Sequence, residues 1–185
     1  MPTQNTGQKP SYLGLLNAIA VAETAAEPVF LAWADRTDDA RLAETLRFVG
    51  MREGEHGKAF AKRMLELGYE VRDGDYGGND EQMTIAGSRR SDLRKFEELG
   101  FGRGVSESDV FDTMFTDKNI DPITGGLLGR YIAEERDSAR MLRGDYERLK
   151  QADEQKKSAR KSTSKSAARK SSGRKPAAKK AGAKR

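Results

Sequence analysis

LAETLRFVGMREGEHGKAFAKRMLELG, Leu42 to Gly68, is the stretch that decides how this chain folds. Leu42, Leu46, Val49, Glu53, His56, Phe60, Met64 and Leu67 follow one another at steps of three and four, which puts them on one face of a helix. The helix starts near Thr37 to Asp39, with acids in its first turn, and stops at Gly68. Its stripe is apolar except at Glu53 and His56, three residues apart and therefore projecting from the same side.

A second stripe precedes it. Between Ser11 and Asp35, Leu13, Leu16, Ala20, Glu23, Glu27, Phe30 and Ala34 keep the same spacing. Ser11, after Pro10, is the expected N-cap, and Pro28 predicts a kink or break near Glu27. The short link between the two stripes makes an antiparallel helical hairpin. Downstream, Glu70 to Arg90 contains Asp-Gly-Asp-Tyr-Gly-Gly-Asn-Asp and reads as an irregular connection. Its acids do not keep the spacing of a calcium loop. Ser91 to Leu99 reads as a short helix closed by Gly100, and another short one begins at Ser106. A last long helix opens with Asp121 as N-cap and Pro122 at its first position, then Leu128, Tyr131, Glu135, Ser138, Leu142, Tyr146 and Leu149 on one face. No segment alternates with period two for long enough to be a strand, so the fold class is all-α.

The chain has 185 residues and a net charge of +5. The length suits one domain, residues 11–150, between a flexible N-terminus, 1–10, and a basic tail, 151–185. It has no cysteine, which excludes disulfides and thiolate metal sites. Its polar start, Met1 to Lys9, has no signal-peptide pattern, and Glu23, Glu27 and Pro28 argue against a membrane span at Leu13 to Ala34. A cytoplasmic protein with no membrane partner is expected.

The net charge hides a division. Thirteen of the 34 basic residues fall after Gln155, where there are no acids, leaving 21 against 29 acidic ones before it. These thirteen are Lys156, Lys157, Arg160, Lys161, Lys165, Arg169, Lys170, Arg174, Lys175, Lys179, Lys180, Lys184 and Arg185. Between them lie chiefly Ser and Ala, with no aromatic and no larger aliphatic residue. Such a tail cannot bury enough surface to offset its ordering entropy, so disorder is expected. Without aromatics it cannot stack on bases; what it can do is neutralise phosphates, giving salt-dependent, nearly sequence-independent binding to DNA with a log-log slope of at most roughly −12. A solubilising spacer is the bland alternative.

Glu23, Glu53 and His56 interrupt otherwise apolar stripes near the middles of two paired helices. Two buried carboxylates facing one imidazole are costly unless a positive charge lies between them. A divalent ion of the iron or manganese type suits such an O/O/N set, whereas calcium favours oxygen alone. Glu27 reads instead as a partly exposed acid, Glu55 as solvated, Trp33 and Met64 as core, and Tyr131, one turn before Glu135, as core, with support of a site ligand as the alternative.

Glu23, and Glu53-Gly54-Glu55-His56 followed by Leu65-Glu66-Leu67-Gly68, resemble the ferritin-like superfamily, its rubrerythrin and bacterioferritin relatives in particular. The resemblance covers Ser11 to Gly68 and returns at Tyr131 to Leu149, where Ile132-Ala133-Glu134-Glu135-Arg136-Asp137-Ser138-Ala139 is similar to the family's last helix. It implies a ferritin-like four-helix bundle with a short or broken third helix. It also implies a mono- or dinuclear iron site, manganese being the alternative, held by Glu23, Glu53, His56 and Glu135. The pattern departs at Ser138, which stands where the family has a second histidine. His56 is the chain's one histidine, so two histidines within one subunit are excluded. Glu97 or Glu98 is the candidate for a third-helix carboxylate. The tail resembles those of linker histones and of some bacterial nucleoid proteins. Bundle and tail together are similar to the DNA-protection proteins of starved cells.

Three functions are therefore in play. One is an iron-binding homo-oligomer tethered to DNA in the nucleoid, with ferroxidase or peroxide-protective activity against oxidative stress and no separate catalytic residue. Another is a non-catalytic, nucleoid-associated or scaffolding protein with a degenerate site. The third, a diiron oxygenase acting on an organic substrate, has no pocket signature in the sequence.

Overall fold

The computed structural model describes residues 9–72, 79–101 and 116–171, with side chains as far as residue 159. Among these residues there are five helices and no strand: α1 (Leu13–Ala34), α2 (Ala40–Glu66), α3 (Asn79–Ala86), α4 (Asp92–Glu98) and α5 (Pro122–Ser171). The class is all-α. The chain divides into two compact units, Met1–Tyr146 and Glu147–Arg185.

Within the first unit, α1 and α2 pack antiparallel, and glycine makes their approach close. Gly50 faces Phe30, Gly54 faces the Glu27 carboxylate, and Gly57 faces Thr24, so the pairing runs in opposite directions along the two helices. A Cβ on Gly54 would lie 2.4 Å from Glu27 Oε2; one on Gly57 would lie 2.4 Å from Thr24 Oγ1 and 2.9 Å from Thr24 N. Three glycines in a helix interior cost roughly 3 kcal/mol of intrinsic propensity, which the close packing must offset. Glu27 is thus half-buried against Gly54.

The helix ends follow side-chain chemistry. Asp39 caps α2 by accepting from Leu42 N at 2.9 Å. At its other end Gly68, at φ 85°, turns the chain while its own N–H reaches Leu65 O and that of Tyr69 reaches Met64 O, each at 2.9 Å. Ser91 caps α4 and Gly100 closes it, also at φ 85°. Two expectations about α1 are corrected. Ser11 does not cap it; the helix follows Tyr12, and the Ser11 hydroxyl donates to Asp117 instead. Nor does Pro28 break it. α1 is unbroken from Leu13 to Ala34, because Val29, Phe30 and Trp33 are buried just beyond the proline and packing outweighs one lost N–H bond. By length and composition α1 could cross a membrane, but here it is a core helix with Glu23 on its buried face.

Asp121 opens α5 as expected. Its carboxylate accepts from Thr124 N and Ile123 N, each at 3.0 Å, and also from Tyr12 OH, Thr124 Oγ1 and the Arg63 guanidinium. From there α5 runs antiparallel to α2: Thr124 meets Arg63, Glu134 meets His56, and Asp145 meets Thr45. Tyr12, Leu16, Ile19 and Ala20 of the α1 region close a core with Phe60 and Met64 of α2 and Leu128, Tyr131 and Ile132 of α5. At the far end Trp33 packs edge-on to Phe96, with centroids 4.7 Å apart, and Phe96 meets Tyr146. The buried Lys95 donates to Ala86 O at 2.7 Å, closing the end of α3.

The connection from Glu70 to Arg90, read as irregular, contains α3, which packs on α1. The helix expected from Ser106 lies outside the described residues. In the second unit the sequence predicts disorder from Gln151, whereas the backbone is helical as far as Ser171. Ala, Lys, Arg and Gln are good helix formers, and Lys157 pairs with Asp153 one turn back at 2.6 Å. Residues 172–185, including Arg174 to Arg185 of the basic set, lie outside the described residues.

Candidate metal centre

Antiparallel pairing places the middle of α1 against the middle of α2, and α5 closes the third side. Glu23, Glu53, His56 and Glu135 meet there, each offering a ligand atom within 4.8 Å of the others. Glu23, Glu53 and His56 are only 6%, 5% and 6% exposed. Glu97 and Glu98 do not join them. Both are exposed, and Glu98 pairs with Arg90 and Arg94 on the surface.

The imidazole is held by its outer nitrogen. His56 Nε2–H donates to Glu134 Oε2 at 2.7 Å, and Glu134 is itself fixed by Arg130 at 2.9 Å. The inner nitrogen, Nδ1, lies 3.3 Å from Glu135 Oε1 and 3.7 Å from Glu23 Oε2, in hydrogen-bond geometry with neither. His56 Nδ1, Glu23 Oε2 and Glu135 Oε1 are thus buried polar atoms without hydrogen-bond partners, converging on one point. Buried polar atoms are rarely left so, and a divalent cation at that point would satisfy all three. The residues fit such an ion. Anchoring the far nitrogen of a ligating imidazole on a carboxylate fixes both its ring and its tautomer.

Without a cation the cluster must hold protons. Burial, aided by a hydrogen bond to Glu23 and the charge of Glu135, pushes the Glu53 carboxyl up to about 11. Burial opposes the charged form of His56, but the carboxylates of Glu135, Glu23 and Glu134 prevail and raise it to about 10. Burial works against ionised Glu23 as well, yet His56, Glu53 and the Tyr131 hydroxyl hold its carboxyl below the usual value. Tyr131 OH donates to Glu23 Oε1 at 2.8 Å, and the ring stands edge-on to His56 with centroids 5.0 Å apart. The core tyrosine is therefore also the residue that orients Glu23.

Ser138 is 3% exposed and accepts from Arg52 Nη1 at 3.0 Å. The same guanidinium reaches Glu134 O at 2.8 Å and Asp137 Oδ2 at 3.2 Å. A fixed cation therefore bonds to Ser138 on the face of α5 that meets α2. Sequence reasoning missed Arg52, Glu134 and the glycine stripe. Arg52 sits one turn before His56 on the same helix face, and Glu134 is next to the chosen Glu135, so the signals were local ones. What was missing was which side of α5 turns toward α2.

Comparison with protein-family models, with curated proteins and with solved structures returns no match.

Proposed function

We propose that this chain is a ferritin-like, four-helix-bundle protein that binds a divalent metal, iron before manganese, and stays near DNA through its basic C-terminal arm. The observation behind the metal is the convergence of three unpartnered buried atoms, His56 Nδ1, Glu23 Oε2 and Glu135 Oε1, beside Glu53. The mixed nitrogen and oxygen set favours iron or manganese over calcium. Bound iron would supply oxidation of Fe(II) by peroxide or oxygen. The protein's own part is to hold Glu23 through Tyr131 and His56 through Glu134. For the arm, the support is its thirteen basic residues without an acid, joined to an acidic body.

Anaerobic Fe(II) loading of the wild type and of Glu53→Ala/His56→Ala tests the metal; equal and negligible iron in both rejects it. Gel shift of the full chain against a truncation after Glu154 tests the arm. Affinity unchanged by truncation, or insensitive to salt, rejects DNA tethering.

A non-catalytic scaffold is the second function, and one observation favours it. A charged His56 among Glu23, Glu134 and Glu135, with Arg52 nearby, balances much of the cluster's charge without a metal. The iron measurement separates the two.

A further inference from the structure

A cavity of about 270 Å³ adjoins the carboxylates of the metal cluster. Glu23, Glu53 and Glu135 line it and His56 does not, so it meets the cluster away from the imidazole. Ala22, Ala25 and Ala26 of α1 form one wall, and Asn79 and Gln82 of α3 form another. Gln82 is exposed, the three alanines are half-buried, and Glu23 and Glu53 are buried. The lining therefore runs from the surface down to the cluster.

An ion bound at the cluster is enclosed by α1, α2 and α5 and needs a way in. The imidazole side is obstructed: His56 Nε2 is bonded to Glu134, whose side chain holds Arg130 and whose backbone oxygen holds Arg52. A cation arriving there meets two guanidiniums, whereas in the cavity it meets carboxylates. The alanines offer no ligand to arrest it partway and little bulk to stop it. An octahedral ion with six waters fills roughly 180 Å³, at about 30 Å³ of liquid volume per water, so the cavity admits it still hydrated. We propose that this cavity is the passage by which a hydrated divalent cation reaches the cluster. There it exchanges water for carboxylate oxygen before it meets His56 Nδ1. The inference rests on the metal-binding function and adds the route to it.

Mn²⁺ is the probe, mixed with the full chain in stopped flow. An absorbing indicator of free Mn²⁺ reads uptake as loss of the free ion and release as its return. Gln82→Trp narrows the exposed end of the cavity and Ala26→Leu narrows it from α1; neither residue supplies a ligand atom. Narrowing a passage raises the barrier between free and bound ion and leaves both end states as they were. Each substitution should therefore slow uptake and release together, about tenfold or more, with Kd within about twofold of wild type. That unaltered Kd, with helical content retained by circular dichroism, also shows that the variant keeps its fold. Rates unchanged in both variants would overturn the passage, and so would slower uptake matched by weaker affinity with release unaffected. No saturable Mn²⁺ binding by the wild type at equilibrium is a different failure, which overturns the metal site itself and the passage with it.

Discussion

His56 is gripped by Glu134 at one ring nitrogen, Nε2 to Oε2 at 2.7 Å, and left open at the other, where Nδ1 faces Glu23 and Glu135 without a hydrogen bond. The two nitrogens thus differ: one is fixed by a carboxylate, and the other is free of hydrogen bonds and could take a metal ion. Glu134→Gln keeps the size of the side chain and removes its charge, so Mn²⁺ affinity by calorimetry should fall about 10- to 100-fold. His56→Ala should remove binding altogether. Equal losses in the two variants would show that Glu134 is itself a ligand.

Burial in the metal-free fold disfavours the ionised form of Glu53. Its carboxyl is pushed from 4.5 to about 11, so between those values the folded state holds a proton that the unfolded chain has released. Its contribution to stability is therefore fully present below pH 4.5 and is lost as the pH rises toward 11. Glu53→Gln should remove that pH slope, raise metal-free stability at pH 8 by about 0.5–2 kcal/mol, and abolish metal binding. Urea unfolding at pH 5 and pH 8, with and without Mn²⁺, measures all three.

Arg52 and Ser138 are predicted to hold the cluster to one ion. With the guanidinium bonded to Ser138 Oγ at 3.0 Å, and one imidazole present, the wild type should take one Mn²⁺ per chain. Ser138→His alone should not change this, because Arg52 still brings a positive charge to that position. Ser138→His with Arg52→Ala should raise the ratio toward two. Metal analysis after desalting gives the ratio, and two ions per chain in the wild type would contradict the role given to Arg52.

The glycines of α2 carry the site as well as the hairpin. Gly57→Ala brings a methyl group to 2.9 Å from the Thr24 backbone nitrogen, so α1 must move away from α2 near Glu23. A loss of about 1–3 kcal/mol is expected, together with weaker metal binding. Gly14→Ala meets no atom within 4 Å and should instead stabilise α1 by about 0.5–1 kcal/mol, with metal affinity unchanged. Thermal melts and Mn²⁺ titration of both variants separate a packing effect from a general helix effect.

The sequence by itself determined the helices that build the site and four residues that meet in it. Steps of three and four place Glu23 on the face of α1, Glu53 and His56 on that of α2 and Glu135 on that of α5, because a periodic stripe reports which side of a helix turns inward. Local chemistry also marked Asp39, Gly68, Ser91 and Asp121 as boundaries. Only the tertiary structure decided the rest. Pro28 lies in an unbroken helix because neighbouring burial outweighs one hydrogen bond, a balance no local rule contains. Glu134 and Arg52 joined the site because the rotation of α5 against α2 sets which flanking residues reach across, and that rotation depends on packing between segments some eighty residues apart. The cavity beside Asn79 likewise exists only where α3 is laid against α1, so no stretch of sequence could announce it.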